Sequence, residues 1–155
     1  MAINDADLAQ RVISTCRLDY LTPPQQTELL RHLRLVRLPE LGYLLQEGNN
    51  VPDSLAFIMQ GRLNASKTTE GGKHQIVLGV FGPGSIVGDL WHDESEPAAV
   101  SLQAIEPVEF CLMRSGSMED ILRNHVDLGL LLLKRFQRDY TSRMRFALER
   151  LAGLF

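Results

Sequence analysis

Residues 70–90 read EGGKHQIVLGVFGPGSIVGDL, and this stretch decides the fold. Its centre is the apolar-rich run QIVLGVF at 75–81, whose β-branched residues are typical of a strand. Gly71 and Gly72 before it predict a tight hairpin tip, because glycine adopts positive φ without strain. Three further glycines are interpreted as turn residues of a barrel rather than as ligand contacts: Gly82, Gly84 and Gly88.

Five more short runs of this kind flank the first one. They are YLLQ at 43–46, LAFIM at 55–59, RLNAS at 62–66, VSLQAI at 100–105 and EFCLM at 109–113. The segments between them are rich in Gly, Pro, Asn, Asp and Ser, which are typical of turns. Short strands at such regular spacing predict an antiparallel β-barrel or jelly roll over residues 34–114.

Helical patterns precede the predicted barrel, within residues 1–33. An apolar pattern after residue 7 predicts a short first helix. Thr22 followed three residues later by Gln25 is typical of a capping box, and a proline stands directly after Thr22. These signals predict a second helix that runs to about Leu33.

Helical patterns return after the predicted barrel, within residues 116–152. Ser117 with Asp120 three residues later resembles a capping box and predicts a helix start. A last helix is predicted from about Val126 towards Leu151. The predicted fold class is therefore α+β, a jelly-roll barrel flanked by helices, and 155 residues suit a single domain.

The composition excludes several classes of protein. The chain is 45% apolar with a net charge of −3, so it has no general attraction to nucleic acid or anionic membranes. No stretch approaches the roughly 18 apolar residues of a membrane span, and no signal peptide is recognisable, so a cytoplasmic location is predicted. Cys16 and Cys111 lack a partner motif, so neither a disulfide framework nor a zinc site is expected.

Motifs of catalysis are absent from the sequence. It contains no GxxxxGK(S/T) phosphate loop, no HExxH zinc motif and no GxSxG nucleophile elbow. His92 beside Asp93 and Glu94 is interpreted as part of a solvated acidic loop. No enzyme, cofactor or metal is therefore predicted. A cupin-like enzyme would need clustered histidine and carboxylate ligands on facing strands, which the sequence does not display.

Three motifs together carry a resemblance to a known family. Glu47-Gly48, the Ile58-x-x-Gly61 spacing and the 70–90 stretch are similar to the cyclic nucleotide-binding domain. Within that family the sequence resembles the bacterial catabolite-activator and fumarate-nitrate-reduction regulators, over nearly the whole chain. The resemblance implies a jelly roll, a phosphate-binding cassette and a long last helix that pairs two copies.

The resemblance implies that residues 88–101 are the phosphate-binding cassette. The family pattern is Phe-Gly-Glu-Leu, a short helix and then Pro-Arg-x-Ala-Thr-Val, and the loop matches its length. The candidate ligand-binding residues are Gly88, Asp89, Leu90, Ala98, Ala99 and Ser101. Ala98 stands at the position of the family's arginine, and Ser101 at that of its threonine. A helix N-terminus around Gly88 to Trp91 is expected to offer backbone amides to an anion.

The chemistry of this loop differs from the family pattern. An arginine offsets the charge of a cyclic phosphate and grips it with two donors, whereas Ala98 supplies neither. The loop also contains four acids that repel phosphate: Asp89, Asp93, Glu94 and Glu96. Weak or absent binding of cyclic AMP and cyclic GMP is therefore predicted. The alternative is a nucleotide sensor that uses backbone amides and a cation outside the cassette, such as Arg62 or Lys73.

The last predicted helix carries an apolar stripe at spacings of three and four residues. The candidate dimer residues on it are Phe136, Tyr140, Met144, Ala147 and Leu151. In the family that the chain resembles, this helix pairs with its two-fold mate, and such a stripe suits that seam. The alternative is that the stripe packs against its own chain. Residues 134–150 also carry six basic and two acidic side chains, a face suited to an acidic partner.

These patterns predict a non-enzymatic regulatory or sensory module. It either senses a ligand other than the usual cyclic nucleotides or acts through protein contacts. A homodimer through the last helix is expected, and neither DNA nor a membrane is an expected direct partner. Few residues follow that helix, so no helix-turn-helix domain is expected here. The chain is either a stand-alone module or the effector part of a longer regulator.

Overall fold

The computed structural model describes residues 4–155. This part of the chain contains four helices and eight strands. In chain order they are α1 (Asp5–Thr15), α2 (Pro23–Arg31), β1 (Arg34–Leu38), β2 (Tyr43–Leu45), β3 (Ser54–Gln60), β4 (Leu63–Thr68), β5 (Gln75–Phe81), β6 (Ile86–Asp89), β7 (Ser101–Ala104), β8 (Val108–Arg114), α3 (Ser115–Asn124) and α4 (Val126–Ala152).

The strands form two four-stranded sheets. One sheet has the order β1-β8-β3-β6 and the other has the order β2-β7-β4-β5. Every pairing between these strands is antiparallel. Because consecutive strands often lie in different sheets, the chain crosses repeatedly between the two layers, as a jelly roll does. The predicted α+β jelly roll with a long C-terminal helix is confirmed.

The barrel core lies between the two sheets. Its buried members are Ala56, Ile58, Leu63, Ala65, Val87, Leu102, Ala104, Val108 and Phe110. Leu63 and Ala65 alternate along β4 and pair with the core residues Ala104 and Leu102 of β7. Lys67, two residues beyond Ala65, has a side chain that is 51% exposed, so the buried row of β4 ends before it.

The second N-terminal helix, α2, begins as its sequence predicts. The capping box of α2 is formed, because Thr22 and Gln25 each accept the other's backbone N–H with a side-chain oxygen. Glu109 on β8 accepts from Arg11 on α1 and from Arg37 on β1, each at 2.7 Å. These two guanidinium groups hold the pKa of Glu109 below its ordinary value. The shared carboxylate therefore ties α1 to the first sheet.

Two predicted helix boundaries are wrong by about two residues. α2 ends at Arg31 rather than near Leu33, because β1 already begins at Arg34. α3 begins at Ser115, so Ser117 lies in its first turn and is not the cap. The reason for the early start is that β8 runs directly into α3, and Asp53 binds both the backbone N–H and the hydroxyl of Ser115.

Residues 118–155 form a second compact unit, distinct from the one that ends at Ser117. Within it α4 is 27 residues long. Gly129 permits close contact with α3, because a Cβ there would lie 2.5 Å from the Leu122 side chain. None of the helices in residues 4–155 is long and apolar enough to cross a membrane. One domain over residues 1–155 stays a prediction, and its first three residues lie outside the described part.

Candidate functional site

The segment between β6 and β7, residues 90–100, connects the two sheets. It contains bends and a turn but no helix. The predicted helix N-terminus around Gly88 to Trp91 is therefore wrong. The reason is that β6 stays extended to its end, where Gly88 pairs with Leu55 and Asp89 with Ser54.

Gly88 is required by close packing against β3. Its φ is +115°, and a Cβ at this position would lie 2.4 Å from the carbonyl oxygen of Ser54. Gly84 is similar: its φ is +89°, and a Cβ at this position would lie 2.8 Å from the carbonyl oxygen of Thr15. These contacts account for both glycines without a ligand.

Ala98, at the position of the family's arginine, is buried and is 4% exposed. Its N–H donates to the carbonyl of Asn49 at 2.8 Å, and its carbonyl accepts the N–H of Gly48 at 2.9 Å. This residue therefore offers neither a charged side chain nor an unused amide. The Glu47-Gly48 motif and the cassette are joined here by the backbone.

Asp53, which sequence reasoning missed, joins the loop to the start of α3. One of its carboxylate oxygens accepts the N–H of Trp91 at 2.7 Å, and the other accepts the hydroxyl of Ser115. The Ser115 N–H also donates to the Asp53 carbonyl at 3.1 Å. Trp91 has a left-handed φ of 54°, and its side chain is half exposed. The backbone N–H of Trp91, which could otherwise donate to a bound anion, thus already donates to the Asp53 carboxylate.

His92 bridges two ends of the loop. Its Nδ1 lies 3.1 Å from a carboxylate oxygen of Asp89, and its Nε2 lies 2.7 Å from the carbonyl oxygen of Glu96. The Glu96 carbonyl, followed by the Asp89 carboxylate, raises the pKa of His92. The hydroxyl and N–H of Ser95 both donate to Asp93 and lower the pKa of that carboxyl. The acidic loop is therefore extensively bonded to itself.

Glu47 and Lys67 close the end of the second sheet beside the cassette. The last β4–β7 pair is Ser66 with Ser101, so the backbone of β4 beyond Ser66 no longer pairs with β7. Glu47 accepts the N–H of Thr68 at 2.9 Å, which is the main reason that the pKa of Glu47 is lowered. The Lys67 ammonium donates to the carbonyl of Ala99 at 2.7 Å and to Glu47 at 3.3 Å.

The cation beside the cassette is thus a residue that sequence reasoning missed. Arg62, proposed as a replacement for the missing arginine, is paired with Glu106 at 3.0 and 3.3 Å. Lys73 lies in the exposed turn between β4 and β5. The contact of Lys67 with Ala99 depends on the pairing of β4 with β7, and no local sequence pattern identifies it.

The remaining cassette candidates take structural positions. Asp89 and Leu90 flank the end of β6, and the hydroxyl of Ser101 accepts the N–H of Glu47 at 2.9 Å. Cys16 and Cys111 are buried and are not joined in a disulfide. Among residues 4–155, no three histidine, cysteine, aspartate or glutamate side chains lie together in an arrangement that could hold a metal ion.

The predicted stripe on α4 divides into a buried and an exposed part. Phe136 is only 5% exposed, so it contributes little surface for a partner. Further along the helix Met144 is 66% exposed, and Tyr140 and Leu151 are about half exposed, as is the neighbouring Leu148. Together with Ala147, these residues lie three or four apart and share one face of α4.

A second exposed apolar surface lies on β5, the edge strand of the second sheet. Its exposed large apolar residues are Ile76, Val77, Leu78 and Val80. The run QIVLGVF is therefore a strand, as predicted, with large apolar side chains at the surface.

Two comparisons place this fold among known proteins. A family model described as the cyclic nucleotide-binding domain matches residues 35–125. The chain is similar to a solved cyclic nucleotide-binding domain from Methylobacillus flagellatus, with 22% identity and a TM-score of 0.84 over 97% of this chain and 85% of that one.

Two regulators have the same fold. The N-terminal domain of a transcriptional regulator from Streptomyces coelicolor is 21% identical, with a TM-score of 0.68 over 91% of this chain and 94% of that one. The c-di-GMP responsive global regulator CLP from Xanthomonas campestris is 17% identical, with a TM-score of 0.73 over 86% of this chain and 64% of that one. No curated protein matches the chain.

Proposed function

The chain belongs to the cyclic nucleotide-binding domain family, and we propose that it is a non-enzymatic cytoplasmic regulatory module that does not bind cyclic AMP or cyclic GMP in the family's usual way. Its output is contact with other proteins, beginning with a second copy of itself. The fold and the family are the premise of this proposal. The contacts of the cassette and the surface of α4 support the rest.

The burial of Ala98 carries the proposal. The family's site offsets a phosphate charge with an arginine and with backbone N–H groups. Here the arginine's position holds a 4% exposed alanine whose own N–H is bonded to Asn49. A second backbone donor, at Trp91, is bonded to the Asp53 carboxylate. A phosphate would have to break these bonds and would gain no cation at residue 98.

The charge of the loop favours the same proposal. Residues 88–100 carry four carboxylates and no lysine or arginine. Two like charges about 4 Å apart repel by roughly 4 kcal/mol at an effective dielectric constant near 20. Even after screening by solvent, a fraction of this repulsion between the carboxylates and a small anion is enough to cancel much of the anion's affinity.

The exposed face of α4 supports a homodimer. Large apolar side chains at Tyr140, Met144, Leu148 and Leu151 form a patch that is unusual on a monomer. Their spacing suits two helices that pair along a common seam. The occupant that we propose is a second copy of this chain, with the α4 helices of the two copies in contact.

A second candidate function is a sensor for a different anionic ligand, including the effector domain of a longer regulator. The observation in its favour is Lys67, whose ammonium lies 2.7 Å from the carbonyl of Ala99 beside the cassette. The Xanthomonas relative, described as responsive to c-di-GMP, makes cyclic dinucleotides a reasonable first probe.

Calorimetric titration tests the two candidates together. Cyclic AMP and cyclic GMP are expected to give no binding heat at concentrations up to about 1 mM. A low-micromolar dissociation constant for either would overturn the main proposal. Binding of cyclic di-GMP that is lost in Lys67→Met and kept in Lys73→Met would establish the second candidate instead.

A further inference from the structure

His92 is the one basic side chain in residues 88–100. His92 pairs with Asp89, and it is the more buried of the two, since its side chain is 15% exposed and that of Asp89 is 55% exposed. The loop therefore directs its sole cation inward and its acids outward. The charge of this one basic side chain changes near neutral pH.

Both ring nitrogens of His92 face acceptor oxygens. Nδ1 faces a carboxylate oxygen of Asp89, and Nε2 faces the carbonyl oxygen of Glu96. Both partners are acceptors, whereas a neutral imidazole has one N–H donor. Both hydrogen bonds therefore exist together only in the imidazolium form. Loss of one proton leaves one nitrogen lone pair facing an acceptor oxygen.

The loop around His92 carries four acids, and Lys67 of β4 reaches the same loop at the carbonyl of Ala99. Asp89 comes from the end of β6, and Asp93, Glu94 and Glu96 come from the loop itself. Asp53, from the segment before β3, pairs with Asp89 through the backbone and binds the N–H of Trp91. Deprotonation of His92 would leave these acids without a counter-charge in the loop.

The residue before His92 connects the loop to α3. Trp91 donates its N–H to Asp53, and the same carboxylate accepts the hydroxyl of Ser115, the first residue of α3. The Asp53 side chain therefore connects the loop at Trp91 to the start of α3.

We propose that His92 is a pH-dependent clamp, which holds residues 89–96 closed as the imidazolium and releases them as the neutral imidazole. The released loop frees Trp91, and through Asp53 the change reaches Ser115. This regulation is separate from the proposed failure to bind cyclic AMP, so either can be wrong while the other holds.

The pKa of His92 gives the direction of the effect. Its partners raise the pKa above the ordinary value of 6.5. A group whose pKa is raised by folding stabilises the folded state fully below its unfolded pKa, and that contribution is lost as pH rises through the folded pKa. The clamp is therefore closed in mildly acidic solution and opens on the alkaline side of pH 6.5.

Trp91 provides a direct readout, because it is the sole tryptophan of the chain and adjoins His92. The measurement is acrylamide quenching of its fluorescence lifetime from about pH 5.5 to about pH 8.5. The quenching rate constant is expected to rise by roughly twofold, with a midpoint above 6.5. Acrylamide is uncharged, and lifetimes separate its access from direct quenching by the imidazolium.

Three variants make this test decisive. In His92→Gln the transition is expected to disappear, and in the control His74→Gln, at the exposed β4–β5 turn, it is expected to remain. Asp89→Asn should keep the transition and move its midpoint to lower pH. Quenching independent of pH in the folded wild type, or an unchanged transition in His92→Gln, would overturn the proposal. If His92→Gln does not fold, an NMR titration of the wild-type ring decides, and a His92 pKa at or below 6.5 overturns it.

Discussion

The loop between β6 and β7 and the C-terminal half of α4 differ in how far their binding groups are already used. In the loop, the amides of Trp91 and Ala98 and both ring nitrogens of His92 have partners within the chain. On α4, Met144 and its apolar neighbours are largely exposed. The sequence suggests a binding role for both regions. The polar groups of the loop are already bonded within the chain, whereas the apolar side chains of α4 are exposed to solvent.

This difference indicates where the free energy for binding lies. A small anion at the loop must replace bonds that already exist, so its net gain is small. An apolar partner at α4 removes exposed carbon from water, and each Å² of that surface contributes roughly 25 cal/mol. We therefore propose that the chain keeps the family's fold and recognises its partners through the surface of α4 and not through the cassette.

The largest expected effect is on α4. Replacing both Tyr140 and Met144 with glutamate places two acids of each copy in the proposed seam. The dimer dissociation constant should rise by roughly 10³-fold, about 4 kcal/mol. Ser142→Glu, an acid on the same helix outside the stripe, is the control and should leave the dimer intact. Sedimentation velocity measures both, and a double variant that stays dimeric would remove α4 from the interface.

The next effect sharpens the account of the cassette. Ala98→Arg restores the family's residue at a buried position, so an unpaired guanidinium should lower the free energy of unfolding by about 2–3 kcal/mol. Ala99→Arg, at the exposed neighbouring residue, should change it by less than about 0.5 kcal/mol. Urea denaturation compares the two variants. Equal stability would mean that residue 98 can turn outward and that the cassette can be restored.

A smaller effect is expected at Asp53. Asp53→Ala leaves the Trp91 N–H and the Ser115 hydroxyl without their acceptor, and the loss should be about 1–2 kcal/mol. Asp93→Ala removes a carboxylate that bonds to Ser95 within the loop, so its effect should be smaller. The same denaturation experiment compares them. A larger loss for Asp93→Ala would show that the loop is held from within and not by Asp53.

Local patterns made much of the fold predictable. Alternating apolar runs identified six of the strands, and the capping box at Thr22 identified the start of α2. β6 was missed because it has four residues and contains Gly88, which the sequence suggests as a turn. Its φ of +115° is instead imposed by the contact with Ser54 across the sheet, and no local pattern carries that information.

The candidate site was predictable in its composition and not in its contacts. The absence of an arginine at Ala98 is visible in the sequence, but its burial depends on pairing with the distant segment at Gly48 and Asn49. The bonds from Asp53 to Trp91 and from Lys67 to Ala99 join residues more than 30 positions apart. Such contacts follow from the strand topology, which a single sequence does not specify.

The most direct test of the central claim is sedimentation equilibrium of the wild-type chain from about 1 to about 100 μM, with and without about 1 mM cyclic AMP. The account predicts a homodimer with a low-micromolar or tighter dissociation constant that cyclic AMP does not change. A monomer across the whole range, or a dimer that cyclic AMP tightens tenfold or more, would contradict it.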